Sequence, residues 1–160
     1  MKIIEAALLS FIGATIIFLV PSIFSSACQR PPIGLKDPTE DTVVRYTCPV
    51  KGDQNPLASL LFTTEGNTVK FFLTSFQEGA GFNVYVAIVF FLLWFFFCAI
   101  EYGIAVPAGL FFPGLLIGAS LGQFVGLFIF NIGIISEAKM LASINVYATI
   151  GGVAVLTGYT

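Results

Sequence analysis

Four stretches of the sequence contain no charged residue, and their lengths constrain the fold more than any other feature. They are 24, 22, 35 and 21 residues long and cover 6–29, 79–100, 102–136 and 140–160. A helix needs about 20 apolar residues to cross the hydrocarbon core of a bilayer. Backbone groups in lipid must be paired within their own segment, so such runs form helices. A soluble domain would have to bury all four runs, so we expect an all-α integral membrane fold in a lipid bilayer.

Composition excludes several classes of function. Only 10% of the residues are charged, against about 25% in a typical soluble domain. The sequence has no histidine, which is the commonest general base and metal ligand. It also shows no catalytic dyad and no phosphate-binding loop. The net charge of −2 is too small to indicate a nucleic-acid partner. We therefore expect no enzyme, no metal site and no cofactor.

Residues 1–21 allow two interpretations. A lysine near the start, a hydrophobic run and the small residues before Cys28 are compatible with a cleaved signal peptide. The alternative is a first membrane helix that ends at Pro21. We favour the helix, because Glu5 is unusual in the basic start of a signal peptide and the later hydrophobic runs keep the protein in the membrane.

Residues 22–54 are polar and rich in proline, which predicts a solvated loop. Cys28 and Cys48 bracket most of this loop. In an oxidising compartment they would form a disulfide, and the alternative is two free thiols in the cytosol. We favour the disulfide, because both cysteines lie in polar sequence. Cys98 lies within a hydrophobic run and is interpreted as a packing residue.

Two further segments precede the most informative part of the sequence. Residues 55–79 predict two short helical pieces that are broken around 63–66. Broken helices are typical of transporters that build an internal site, whereas an amphipathic segment on the membrane surface is an equally good interpretation. Residues 80–102 predict a membrane helix that ends at Glu101. This carboxylate is interpreted as an interfacial charge that reaches water, with proton handling as the alternative.

Residues 103–113 combine a break in the hydrophobic pattern with a helix start. Proline favours the first helical turn, so we expect a helix to begin close to Pro113. The first amides of a helix have no partner within it, and with the helix dipole they form an anion site that needs no cationic side chain. We predict the amides of Leu110 and Phe111 as donors, with Gly109 allowing close approach of the ion. A simple helix kink is the alternative interpretation.

The next segment, residues 114–131, carries a glycine at every fourth position: Gly114, Gly118, Gly122 and Gly126. On a helix these residues share one face and allow another helix to pack against the backbone. The pattern predicts close helix packing and says nothing about a substrate. A last helix is expected over 143–160.

The sequence from Gly103 to Gly126 resembles the CLC family of voltage-gated chloride channels and chloride/proton exchangers. The run Gly109-Leu110-Phe111-Phe112-Pro113 matches the GxFxP signature of that family, in which backbone amides at a helix start coordinate chloride. The resemblance therefore implies that these five residues form the chloride-binding segment. The loop at Cys28, the segment 55–62 and Glu101-Tyr102-Gly103 look most like the intracellular, lysosomal and plant vacuolar branches. Downstream, the segment 147–152 resembles the next helix of the family.

The resemblance implies a partial CLC membrane domain with tilted, partly broken helices. Gln123 stands where the family often has arginine, and Glu101 where a small polar residue is common, so assignment to a subfamily stays open. The family's GSGIP and GxEGP segments, its proton-relay glutamate and pore tyrosine, and its CBS domains are not in the sequence. We therefore expect a fragment or a truncated product that supplies one wall of an anion path.

The implied function is transmembrane movement of chloride, by a channel or by a chloride/proton antiporter. The implied partners are chloride, the remainder of the CLC protein and, for the full-length parent, a second copy in a homodimer. The resemblance places the protein as multi-pass in an endolysosomal or vacuolar membrane, with the plasma membrane as the alternative. A second hypothesis is a non-conducting structural subunit that docks through its glycine-striped helix.

Overall fold

The computed structural model describes residues 2–24, 28, 46, 48, 55–74, 83–103, 109, 111–133 and 137–159. In these residues it contains helices and no strands, which confirms the all-α fold. The helices are α1 (Lys2–Ile23), α2 (Pro56–Leu61), α3 (Glu65–Thr74), α4 (Val84–Glu101), α5 (Phe111–Asn131) and α6 (Glu137–Tyr159).

Three of the described helices are long and apolar enough to cross a membrane, namely α1 from Ile4, α4 and α5. The fourth charge-free run lies in α6, in which the described residues Ser143–Gly158 form an apolar helical segment. α6 also begins at Glu137 rather than at 143, since residues 138–141 are mostly strong helix formers.

Burial increases steeply from the first membrane helix to the third. Only 6% of the most apolar window of α1 is buried, against 22% for α4 and 61% for α5. α1 therefore lies at the periphery and α5 at the centre of the bundle. α1 and α4 run antiparallel, because Phe24 at the end of α1 contacts Tyr85 at the start of α4, with ring centroids 5.4 Å apart.

The core joins the short helices to the long ones. Phe72 of α3 and Phe90 of α4 are fully buried, with ring centroids 5.1 Å apart. The other buried members of this cluster are Leu57, Leu60, Val86, Ala87, Leu116, Ala119, Leu127 and Ile144. α3 packs against α5, whereas α2 packs against α1, α3 and α4, so neither short helix lies apart from the bundle.

Hydrogen bonds from polar side chains set the ends of the short helices. Asn55 is the N-cap of α2, where its Oδ1 accepts from the amides of Leu57 and Ala58 at 3.1 and 3.2 Å. The hydroxyl of Thr68 donates to the carbonyl of Leu60 at 3.0 Å and so ties α3 to the end of α2. These bonds satisfy backbone groups that a break between two helices would otherwise leave unpaired.

Candidate functional site: the start of α5 and its packing on α6

α5 begins at Phe111, two residues before Pro113. The prediction that the helix starts close to Pro113 therefore needs a small shift, which has a physical reason. The amides of a first helical turn have no carbonyl acceptor within the helix, so proline is tolerated throughout that turn. Phe111 and Phe112, which were expected in the loop 103–113, lie inside the first turn.

The start of α5 presents free amide donors and two aromatic rings. Pro113 has no N–H, so in the described part of the turn the amides of Phe111 and Phe112 are the ones without an intrahelical partner. The two rings are 61% and 45% exposed, and their centroids lie 5.6 Å apart at an interplanar angle of 88°. Such a helix end carries a partial positive charge of about half a unit and attracts an anion.

The other predicted site residues are placed as follows. Gly109 is exposed, and a Cβ added there would meet no atom within 4 Å. Leu110 and the segment 104–108 lie outside the described residues. The amide of Leu110 therefore remains a prediction, as does chloride binding by Gly109, Phe111, Phe112 and Pro113. In the structure the amide of Phe112, like that of Phe111, lacks an intrahelical partner.

The glycine stripe of α5 lies directly against α6. A Cβ added at Gly118 would overlap the carbonyl oxygen of Gly151, and one added at Gly122 would overlap that of Tyr147. A Cβ at Gly126 would lie 3.2 Å from the side chain of Tyr147. The two helices are antiparallel and pack backbone against backbone. Gly114 is buried on the same helix.

The close contact needs glycine on both helices. A Cβ added at Gly151 would overlap the carbonyl oxygen of Gly118 and would lie 2.9 Å from the Cα of Gly122. Gly152 is buried, and a Cβ there would lie 2.9 Å from the side chain of Leu115. The sequence signal for this partner surface was the pair Gly151-Gly152, which had been noted only as part of the family resemblance.

Two amide side chains are buried without a hydrogen-bond partner among the described residues. Gln123 of α5 is fully buried and Asn145 of α6 is 6% exposed, and both polar atoms of each side chain are unpaired. Nearby on α5, the hydroxyl of Ser120 is satisfied by the carbonyl of Ile117 at 3.0 Å. Sequence reasoning had noted Gln123 only as a departure from arginine.

A second polar cluster lies at the opposite end of α1 from Lys2. Cys28 and Cys48 form a disulfide with Cα atoms 5.9 Å apart. Beside them, Nδ2 of Asn55 donates to the carbonyls of Pro21 at 3.2 Å and Tyr46 at 3.4 Å. Asn55 is therefore satisfied through both its donor and its acceptor, a role that the sequence pattern did not indicate. Cys98 is a buried free thiol.

Acidic side chains do not gather into a site in the described residues. Glu101 is exposed at the end of α4, where it borders a groove of about 350 Å³ between α1 and α4. Among the described residues, no three side chains of the metal-binding types lie together.

Comparison with known proteins decides the family. The family model for the voltage gated chloride channel matches residues 1–160. The chain belongs to the CLC family. The putative chloride channel-like protein CLC-g of Arabidopsis thaliana is 37% identical over 131 residues, which cover 79% of this chain and 17% of that protein. The human H(+)/Cl(-) exchange transporter 7 is 30% identical over 159 residues, which cover 99% of this chain and 18% of that protein.

The chain is much shorter than these CLC relatives. The chloride channel protein CLC-d of Arabidopsis thaliana is 29% identical over 164 residues, 98% of this chain and 20% of that protein. The chain thus spans about a fifth of the length of the curated relatives it matches. It is part of a multi-pass integral membrane protein, as the sequence predicted, and the relatives include both channels and an exchanger by name.

Proposed function

We propose that this chain is part of a protein that moves chloride across a membrane, as a channel or as a chloride/proton exchanger. In this proposal the start of α5 supplies one wall of the anion path. The observation that carries it is the position of the GxFxP motif, since Phe111 and Phe112 form the first turn of the most buried membrane helix. Membership of the CLC family supports chloride as the substrate.

Chloride would be held by backbone amides and not by a cationic side chain. The amides of Phe111 and Phe112, joined by that of Leu110 as predicted from the sequence, would donate to the ion, and Gly109 would let the backbone approach it. The helix dipole adds attraction without a full charge. Several weak contacts suit transport, because the ion must leave the site as readily as it enters.

The remaining properties of the full-length protein follow from its relatives. The human relative is named an H(+)/Cl(-) exchange transporter, so an exchanger in an endolysosomal or vacuolar membrane is the version of the proposal that we favour. A plasma-membrane channel is the alternative. By the same family reasoning, the remainder of the CLC protein completes each anion path and two copies form a homodimer.

The structure gives less support to a separate docking subunit. That hypothesis used the glycine stripe of α5 as the surface for a partner protein. Gly118 and Gly122 are instead covered by Gly151 and Tyr147 of α6 in the same chain. The stripe is therefore already used within the chain.

The test is to remove one amide donor in the full-length protein without changing its side chain. An amide-to-ester replacement that turns the N–H of Phe111 into an oxygen, made by nonsense suppression with the hydroxy acid of phenylalanine, leaves the ring in place. Losing one donor to a charged group costs about 1.5–3 kcal/mol, so we expect chloride affinity in reconstituted vesicles to fall by about ten-fold or more. The same replacement at Phe128, in the interior of α5, is the matched control for the chemistry.

Two conventional variants distinguish the contribution of the Phe111 ring to chloride binding from that of the Phe111 amide. Phe111→Ala removes the ring and keeps the N–H, whereas Phe111→Pro removes the N–H at a position where proline suits a helix. Chloride binding should fall further in Phe111→Pro than in Phe111→Ala. Equal binding in the ester variant, the proline variant and the wild type would overturn the amide site.

A further inference from the structure

Weak contacts join the end of α1 to α2, and the disulfide between Cys28 and Cys48 lies close to them in sequence. Cys48 lies two residues after Tyr46, whose ring contacts Phe18 of α1 at 5.4 Å and Phe62 after α2 at 5.3 Å between centroids. The carbonyl of Tyr46 accepts a hydrogen bond from Asn55 at 3.4 Å. The disulfide to Cys28 fixes Tyr46 in this position.

Asn55 carries the connection from Tyr46 into the bundle. Its side chain is fully buried, bonds to the carbonyl of Pro21 in α1 and caps the amides at the start of α2. Leu57 and Leu60 of α2 then pack in the same core cluster as Leu116 and Ala119 of α5. A continuous set of contacts therefore runs from the disulfide to the helix that carries the GxFxP motif.

We propose that the Cys28–Cys48 disulfide is a redox-sensitive latch that holds Tyr46 and Asn55 at the end of α1 and thereby keeps α2 in the core cluster that also contains residues of α5. When a reductant opens the latch, the described contacts that still retain Tyr46 are its ring contacts and one long hydrogen bond. Asn55 then loses one of its two carbonyl acceptors, and its cap on α2 weakens. The effect on transport rests on the proposed function, whereas the effect on α2 does not.

The chemistry needs a two-electron reductant on the side of the membrane where α1 ends. Tris(2-carboxyethyl)phosphine, a charged and membrane-impermeant phosphine, attacks one sulfur and releases the other as a thiolate. Water then displaces the second sulfur from phosphorus. The products are two cysteine thiols and one phosphine oxide, which has taken its oxygen from water.

The first readout is hydrogen–deuterium exchange of the full-length protein in sealed vesicles. After reduction from the reactive side, exchange in the peptide spanning 55–62 should accelerate by about ten-fold or more, since the capped amides of Leu57 and Ala58 lose protection. A peptide from the interior of α5 serves as the internal reference. Alkylation and mass analysis confirm that both cysteines have been reduced.

The second readout is the initial rate of chloride flux in the same vesicles. We expect reduction to change the wild-type rate of chloride flux by at least about two-fold. The reason is that loosening α2 disturbs the core cluster that it shares with Leu116 and Ala119 of α5. Cys28→Ser/Cys48→Ser should show the changed rate without reductant and no further response. Cys98→Ser, which removes the buried free thiol and keeps the disulfide, should respond like the wild type.

The outcomes separate the latch from the function. Unchanged exchange in 55–62 after complete reduction overturns the latch, whatever the flux does. Accelerated exchange with unchanged flux overturns the coupling to α5. A protein that moves no chloride at all contradicts the proposed function, and the exchange measurement still decides whether the disulfide acts as a latch.

Discussion

The contact between α5 and α6 predicts that Gly122→Ala destabilises the protein even though alanine is the better helix former. A Cβ at position 122 would lie 2.9 Å from the carbonyl carbon of Tyr147 and 3.1 Å from the Cα of Ala148. Ordinary van der Waals contact begins at 3.4 Å, so the helices must separate by roughly 0.5 Å to relieve the closer of these contacts, and by more for the carbonyl oxygen. All three obstacles are backbone atoms, so no side-chain rotation removes them.

The magnitude follows from two opposed effects. Overpacking of a well-packed interface costs about 1–3 kcal/mol, and replacing glycine with alanine in a helix interior returns up to about 1 kcal/mol. We expect a net loss of about 1–2 kcal/mol in the free energy of unfolding for Gly122→Ala. Gly158→Ala in α6 is the matched control, because a Cβ there meets nothing within 4 Å. It should be neutral or slightly stabilising.

The assay is unfolding of the purified full-length protein by sodium dodecyl sulfate in mixed micelles, followed by circular dichroism. Gly118→Ala should behave like Gly122→Ala, since its Cβ would also meet backbone atoms of α6. If Gly122→Ala unfolds at the same or a higher detergent fraction than both the wild type and Gly158→Ala, the backbone contact between α5 and α6 is refuted.

Four further predictions use the same unfolding assay, and the last also uses a chloride-binding measurement. Asn55→Ala leaves two helix-start amides and the carbonyl of Pro21 unpaired, so it should cost about 1–3 kcal/mol, and Asn55→Asp, which keeps the acceptor, should cost less; equal losses would contradict the capping role of the acceptor. Gln123→Met should be neutral or stabilising by about 1 kcal/mol, because it removes a buried amide without a partner among the described residues; a clear loss would mean that another part of the full-length protein pairs with this amide. Phe72→Ala should cost about 3–5 kcal/mol at a fully buried ring, whereas Phe96→Ala, at a ring that is 60% exposed, should cost far less, and similar values would contradict the position of the core. Gly109→Ala should leave stability unchanged, since its surroundings are open, while lowering chloride affinity if the backbone at that position borders the anion path.

The sequence predicted the helical membrane fold and a helix start close to Pro113 because both depend on local patterns. Long runs without charge impose helices, and a proline after an irregular segment marks a helix start. The same local signals are imprecise at helix ends, since proline is tolerated at any position of the first turn and so did not distinguish Phe111 from Pro113 as the start of α5.

The contacts that the sequence did not predict depend on pairing between distant segments. A glycine every fourth residue indicated a packing face on α5, but the identity of the opposite surface, around Gly151, required the position of α6. Asn55 is similar. Its cap on α2 was not identified from the sequence, and its bond to the carbonyl of Pro21, 34 residues away, exists only in the folded chain.

The pairing of α5 with α6 has a consequence for how the protein enters the membrane. α6 includes a buried asparagine, which is costly to expose to lipid when the helix is a lone segment. Packing of α6 in the bundle, mostly against α5, removes that side chain from the lipid. We therefore expect α6 to integrate stably once α5 is in the bilayer. In the cell, damage at Gly118 or Gly122 would appear as failed integration and degradation of the chain before any change in ion movement is seen.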